Sequence, residues 1–198
     1  MPHRKVSSLV RWGEPRPTNI KTTFSRLRTV TDNERKELLH ELLEKQEKGE
    51  LKPKDRYEIP PQDMPEQDPV VRAGNVNEVA TGYTETQARI EALRCLRCKN
   101  APCVTGCPVR IRIRDFVVAV AEGKYDQALG IIKENSLLPA VCGRVCPQEN
   151  QCQLTCTVGK KFKDPTKAVS IGRLERFVAD LDKSSNTVPA VAADTGKK

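Results

Sequence analysis

The run Cys95-Leu-Arg-Cys98-Lys-Asn-Ala-Pro-Cys103-Val-Thr-Gly-Cys107-Pro108 is answered downstream by Cys142-Gly-Arg-Val-Cys146-Pro147 and Cys152-Gln-Leu-Thr-Cys156. All eight cysteines of the 198-residue chain lie between Cys95 and Cys156. They fall into two groups of four, each containing a Cys-Pro dipeptide. Two sets of four soft ligands suggest two metal centres.

Thiolates favour zinc, copper(I) or iron–sulfur clusters over hard cations. Structural zinc sites draw their ligands from two separated knuckles with a long insert between them. The first group instead runs Cys-x2-Cys-x4-Cys-x3-Cys-Pro without an insert, close to the bacterial ferredoxin run in which three cysteines wrap one 4Fe–4S cube and the fourth ligates another. The x4 gap, where ferredoxins have x2, argues for a different backbone rather than against the cube. An even cysteine count also fits disulfides, which belong to oxidising compartments. The opening Met1-Pro-His-Arg-Lys has no apolar stretch of a secretory signal, so iron–sulfur ranks first, zinc second and disulfides third. The same absence leads us to expect a cytoplasmic protein.

Hydrophobic residues make up 37% and aromatics 4% of the chain, so the apolar core is modest. Clusters held by thiolates would staple it, because metal-binding free energy becomes folding free energy. The net charge of +8 points to an acidic partner, an anionic surface or simply to solvated helices. Arg94, Arg97, Lys99, Arg110, Arg112, Arg114 and Arg144 crowd the cysteines. Positive charge there stabilises a reduced cluster and suits docking of an acidic protein such as ferredoxin. Nucleic acid is not an expected partner, since the basic residues are not interleaved with aromatics. No segment has the length of apolar residues that spans a bilayer.

Outside the cysteine region the pattern is helical. Residues 1–30 are basic and read as an extended arm. Thr31-x-x-Glu34 forms a capping box before Leu38, Leu39, Leu42 and Leu43, and Gly49 stops this peripheral helix. Its leucines face either the chain's own domain or a partner. Five prolines over residues 51–72 predict a linker without regular structure. Thr84-x-x-Gln87 caps a helix that delivers the chain into Cys95. Val109 to Arg114 alternates like a short extended piece. Helices through Phe116–Val120 and Tyr125–Ile132 then bring the second cysteine group back over the first. Ile171, Leu174 and Val178 predict a last helix over roughly 167–180. His3 and His40 are isolated, and no Gly-rich phosphate loop is present. The expectation is an all-α fold, with an arm, peripheral helix and linker over 1–62, a helical domain over 63–181, and a tail over 182–198.

Met64-Pro-Glu-Gln-Asp-Pro69, Asn77-Glu-Val-Ala80, Gly82-Tyr-Thr84, Arg94-Cys-Leu-Arg-Cys98, Gly106-Cys-Pro108, Cys142-Gly-Arg-Val-Cys-Pro147 and Ile171-Gly-Arg-Leu-Glu-Arg-Phe177 together carry a family likeness. Over about residues 63–180 the chain resembles the N-terminal iron–sulfur domain of the glutamate synthase small subunit. That domain also occurs in the large subunit of NADH-dependent ferredoxin:NADP oxidoreductase and in dihydropyrimidine dehydrogenase. The resemblance implies a small helical domain around two 4Fe–4S clusters with crossed ligation. Cys95, Cys98, Cys103 and Cys156 would bind the first; Cys107, Cys146, Cys152 and Glu175 would bind the second. Cys142 is the alternative fourth ligand of the second cluster, as plain cysteine counting would have it.

Relatives continue into a module that binds FAD and NAD(P)H, which for this chain would be an adjoining module or a separate subunit. The resemblance therefore implies an electron relay between that flavin and a second redox partner, ferredoxin or a larger catalytic subunit. No substrate-converting centre is expected in the chain itself. The competing reading is a structural or regulatory subunit whose clusters only stabilise the fold.

Overall fold

Helical structure begins at Asp32, where the structure, a computed structural model that describes residues 31–184, enters α1 (Asp32–Glu47). The expected arm over 1–30 and the tail from 185 onward lie outside the described residues. Gly49, at φ +69°, makes the left-handed turn that stops the helix, a conformation that glycine adopts without a Cβ clash. Leu42 is buried, and Leu38, Leu39 and Leu43 pack against the same core. The leucine face is therefore used within the chain's own compact unit.

The proline-rich stretch over 51–72 does contain regular structure, contrary to expectation: α2 (Pro53–Glu58) and α3 (Pro69–Arg72). Proline opens both, because the first helical position needs no N–H and its φ is preset by the ring. The Lys52 N–H donates to Asp55 Oδ2 at 2.9 Å, and Asp68 Oδ1 accepts from the N–H of Val70 and Val71. Leu51 and Ile59 flank α2 in the core. Tyr57 meets Phe162 edge-on at 6.1 Å. A loop over residues 65–81 is closed by an isolated antiparallel bridge between Glu66 and Ala80. Among the described residues there is no strand, and the fold is all-α.

Helix α4 (Glu85–Leu93) starts at the expected capping box: Thr84 Oγ1 accepts the Gln87 N–H, and Gln87 Oε1 accepts the Thr84 N–H. Ala88, Ile90, Ala92 and Leu93 are buried along it, with α1 on one side. The chain continues through α5 (Pro102–Gly106), α6 (Ile113–Ala121), α7 (Tyr125–Lys133), α8 (Pro139–Val145), α9 (Cys152–Thr155), α10 (Thr157–Phe162) and α11 (Ile171–Ser184). Arg110, at φ +56°, turns the backbone within the alternating stretch, so Ile111 and Ile113 both reach the core. Helices α6 and α7 pair as expected.

α11 starts later than the predicted residue 167. Lys167 and Ala168 give their carbonyls to the buried Arg94 guanidinium, and the Ser170 N–H donates to Glu91 Oε1. These bonds hold 168–170 in a non-helical path. Once formed, α11 packs against α4, α6, α7 and above all α8. The last contact is close: a Cβ on Gly143 would lie 2.6 Å from the Arg176 backbone nitrogen, so only glycine lets α8 approach α11 this far.

Candidate metal centres

Each Cys-Pro dipeptide ends a helix. A residue before proline is pushed out of the α region by the ring, and Cys107 and Cys146 accordingly terminate α5 and α8 with extended backbones, at ψ 124° and 132°. Cys156 does the same between α9 and α10, at ψ 129°. Each of these helix ends therefore presents a thiol. Between Cys95 and Cys103 the chain uses two left-handed turns, at Arg97 (φ 53°) and Ala101 (φ 35°). The second takes up the longer x4 gap and starts α5, with Pro102 at its first position. Non-glycine residues with positive φ are uncommon and cluster at functional sites.

All eight cysteines are free thiols, and they line two separate cavities. Cys95, Cys98, Cys103 and Cys156 surround the first, together with Ile113, Val158 and Ile171. Cys107, Cys142, Cys146, Cys152 and Glu175 surround the second, together with Phe116, Ile113 and Ile171. The sequence grouping is thus exchanged at one member each way: Cys107 lies with the later cysteines and Cys156 with the earlier ones. A tetrahedral zinc with Zn–S near 2.3 Å would draw its sulfurs to within roughly 4 Å of one another. Among the described residues no three His, Cys, Asp or Glu side chains are gathered to hold a single ion. Four thiols lining each cavity match the thiolate ligation of an iron–sulfur cluster.

Burial opposes ionisation of the thiols. Burial pushes the Cys95 thiol up to about 11 and the Cys103 and Cys152 thiols up to about 12, and neighbouring sulfurs add to each shift. Burial also raises Cys146, followed by the nearby Cys142. These groups remain thiols at neutral pH unless a metal supplies compensating charge. Glu175 on α11 is 6% exposed, burial alone pushes its carboxyl up to about 7, and its Oε1 has no hydrogen-bond partner. An orphaned carboxylate oxygen at a cavity lined by four thiols fits a metal ligand. Cys142 differs, because the Ser136 hydroxyl donates to its sulfur at 3.8 Å. In the first cavity, the Cys98 thiol donates to Thr157 Oγ1 at 3.3 Å.

Much of the basic rim is neutralised internally. Arg144 forms ion pairs with Glu78 at 2.8 Å and Asp180 at 2.8 Å, tying α8 to the 65–81 loop and to α11. Arg112 pairs with Glu134, and Arg114 with Asp115. Arg94 and Glu91 form a buried pair at 2% and 0% exposure. The sequence did not reveal Glu91 as a hub: its Oε2 also accepts the Gln62 N–H at 2.8 Å, so one carboxylate joins the former linker, α4 and the approach to α11. His40 is exposed on α1, 3.5 Å from Glu44, and far in sequence from either cavity lining; His3 lies outside the described residues.

The family profile described as dihydropyrimidine dehydrogenase domain II, 4Fe-4S cluster, matches residues 72–187. The chain is 40% identical over 122 residues to the putative oxidoreductase UacF of Escherichia coli, covering 61% of this chain and 18% of that protein. It is 34% identical over 138 residues to the NADPH glutamate synthase small chain of Escherichia coli, covering 69% of this chain and 28% of that one. It is 36% identical over 110 residues to PreT, an NAD-dependent dihydropyrimidine dehydrogenase subunit of Salmonella typhimurium, covering 56% and 26%. The chain spans less than a third of the length of each of these relatives.

Proposed function

The chain belongs to the iron–sulfur family of dihydropyrimidine dehydrogenase domain II, and from that premise we propose that it is an electron relay holding two 4Fe–4S clusters. In this reading Cys95, Cys98, Cys103 and Cys156 hold the first, and Cys107, Cys146, Cys152 and Glu175 hold the second. Bound there, such clusters supply reversible one-electron storage with little movement. The observation that carries the reading is the division of the thiols between two cavities that share Ile113 and Ile171 in their linings.

The chain's own residues bind, insulate and orient. Phe116, Val117, Val158 and Ile171 line the cavities with apolar atoms, which keep water from the metal and make each nearby charge count for more. Electrons enter from a flavin reduced by NAD(P)H on an adjoining module or subunit and leave to a second redox partner. The glutamate synthase and dihydropyrimidine dehydrogenase subunits among the relatives, named for NADPH and NAD, support this reading. Leu138, Val141 and Val145 are exposed on and beside α8, next to the second cavity, and offer an apolar contact for one of those partners. No described helix is long and apolar enough to cross a membrane, and the setting proposed is the cytoplasm, where thiols stay reduced.

The test is anaerobic assembly followed by redox titration. About eight iron and eight sulfide per chain, with two reversible one-electron reductions, are expected. Loss of the clusters on reduction would favour the competing reading, in which they only staple the fold.

A further inference from the structure

Two guanidinium groups converge beside the first cavity, and among the described residues no carboxylate pairs with either. Arg56 of α2 is 6% exposed. Its Nη1 donates to the Leu93 carbonyl at 2.6 Å and to the Cys95 carbonyl at 3.2 Å, and its Nη2 reaches Gln46 Oε1 at 3.5 Å. Arg97, in the turn between Cys95 and Cys98, donates from Nη2 to the same Gln46 Oε1 at 2.9 Å. Gln46 of α1 thus holds two like charges with one neutral oxygen. Among the described residues Arg56 and Arg97 have no acidic partner, whereas Arg94, Arg112, Arg114 and Arg144 each do.

A buried cation without a counter-charge is costly. The Leu93 carbonyl, at the negative end of α4, offsets part of that cost. Further negative charge would come from the thiolate set to which Cys95 belongs. Resting on the relay reading above, we propose that Arg56 and Gln46 are positioning residues for the first centre: they place two positive charges against the Cys95–Cys98 turn and so raise the reduction potential of that centre relative to the second. Both residues come from helices α1 and α2, which precede the family-matched region at residue 72. The segment in front of the domain would then tune the cluster as well as cover the core. Adding an electron makes a thiolate-held cluster more negative, so a nearby fixed cation favours the reduced form, the buried Arg56 more strongly than the exposed Arg97.

The experiment is a redox titration of the full chain, followed by electron paramagnetic resonance, for the wild type, Arg56→Gln, Arg56→Lys and Gln46→Glu. Arg56→Gln removes the charge but keeps an amide donor. Gln46→Glu keeps both arginines and puts a carboxylate between them with no change in side-chain size. The expected result is a shift of one midpoint to more negative potential in Arg56→Gln and in Gln46→Glu, the other midpoint unmoved, with Arg56→Lys near the wild type. Unmoved potentials in Gln46→Glu, with iron and sulfide content intact, would overturn the proposal and reduce Arg56 to a helix cap. Equal shifts in both centres would overturn it as well. If Arg56→Gln fails to assemble, Gln46→Glu alone decides. A wild type lacking two reversible reductions would instead defeat the relay reading, and iron and sulfide analysis separates that failure from this one.

Discussion

Ile113 and Ile171 each line both thiol cavities, so two isoleucine side chains, each 3% exposed, stand between the candidate centres. One begins α6 and the other α11: Ile113 comes after the loop that follows Cys107, and Ile171 lies one turn before Glu175 in α11. The wall is therefore part of the relay's geometry and of the core together.

Truncating the wall tests both roles. Ile171→Ala should cost about 2–5 kcal/mol of stability, as large-to-small core changes do. It should also make both clusters more sensitive to oxygen. Ile132→Ala on α7, fully buried but lining neither cavity, should cost a similar amount and leave oxygen sensitivity unchanged. Measuring melting and cluster bleaching in the two variants side by side separates wall from core, and equal bleaching would deny the wall its role.

The buried hub should be intolerant of half-measures. Glu91 accepts from Gln62, Arg94 and Ser170, and its removal leaves a buried guanidinium unbalanced. Glu91→Gln should destabilise the cluster-loaded chain by about 3–5 kcal/mol, read from denaturant unfolding. Glu91→Gln combined with Arg94→Met should lose less than the single change, because the unpaired charge is gone. A double variant worse than the single would mean that the backbone bonds, not the charge, dominate.

The regular parts of this fold are legible in the sequence because their causes are local. The Thr84–Gln87 capping box, the glycine stop at Gly49 and the periodic apolar residues of α6, α7 and α11 all announce themselves within one or two turns. What remains hidden depends on distant partners. Arg144 reads as part of a basic rim until Glu78 and Asp180, 66 and 36 residues away, are brought beside it. Arg56 reads as one more charge in a proline-rich linker, yet α2 buries it under the end of α4. The exchange of Cys107 and Cys156 between cavities follows from helix ends that only the packed α5 and α9 bring together, although family resemblance anticipates it.

Chelation tests how far the thiol sites hold the rest. A peripheral helix whose leucines faced a partner, one of the two readings its sequence allows, would be indifferent to cluster loss. Because Leu42 is buried in the shared core and Gln46 contacts Arg56 and Arg97, removal of iron should expose the amides of α1 along with those of α4. Hydrogen exchange before and after anaerobic chelation provides the measurement. Protection of α1 that survives while α4 opens would restore the idea of an independent helix.

Close approach at Gly143 supplies a selective lesion. A methyl there meets the Arg176 backbone at 2.6–2.8 Å, and a helix backbone cannot swing aside as a side chain can. Gly143→Ala should push α8 from α11 and so part Cys146 from Glu175, costing the second cluster while the first persists. Iron content falling to about half, with one titrating centre left, is the expected outcome. Full iron content would show that the helices can separate without disturbing the ligands.

The choice between Glu175 and Cys142 as fourth ligand turns on which group is otherwise satisfied. Glu175 Oε1 is buried without a partner, whereas the Cys142 sulfur accepts the Ser136 hydroxyl. A buried polar atom left unpaired costs about 1–3 kcal/mol, so iron coordination relieves a penalty at Glu175 and would have to displace a hydrogen bond at Cys142. A carboxylate oxygen is also a harder donor than thiolate, and should make the second cluster spectroscopically distinct. Glu175→Ala should therefore lose or alter one cluster and spare the other, while Cys142→Ser leaves both assembled and Glu175→Cys restores a cluster with ordinary all-thiolate spectra. Cluster loss on Cys142→Ser together with none on Glu175→Ala would falsify the carboxylate assignment and make Cys142 the ligand.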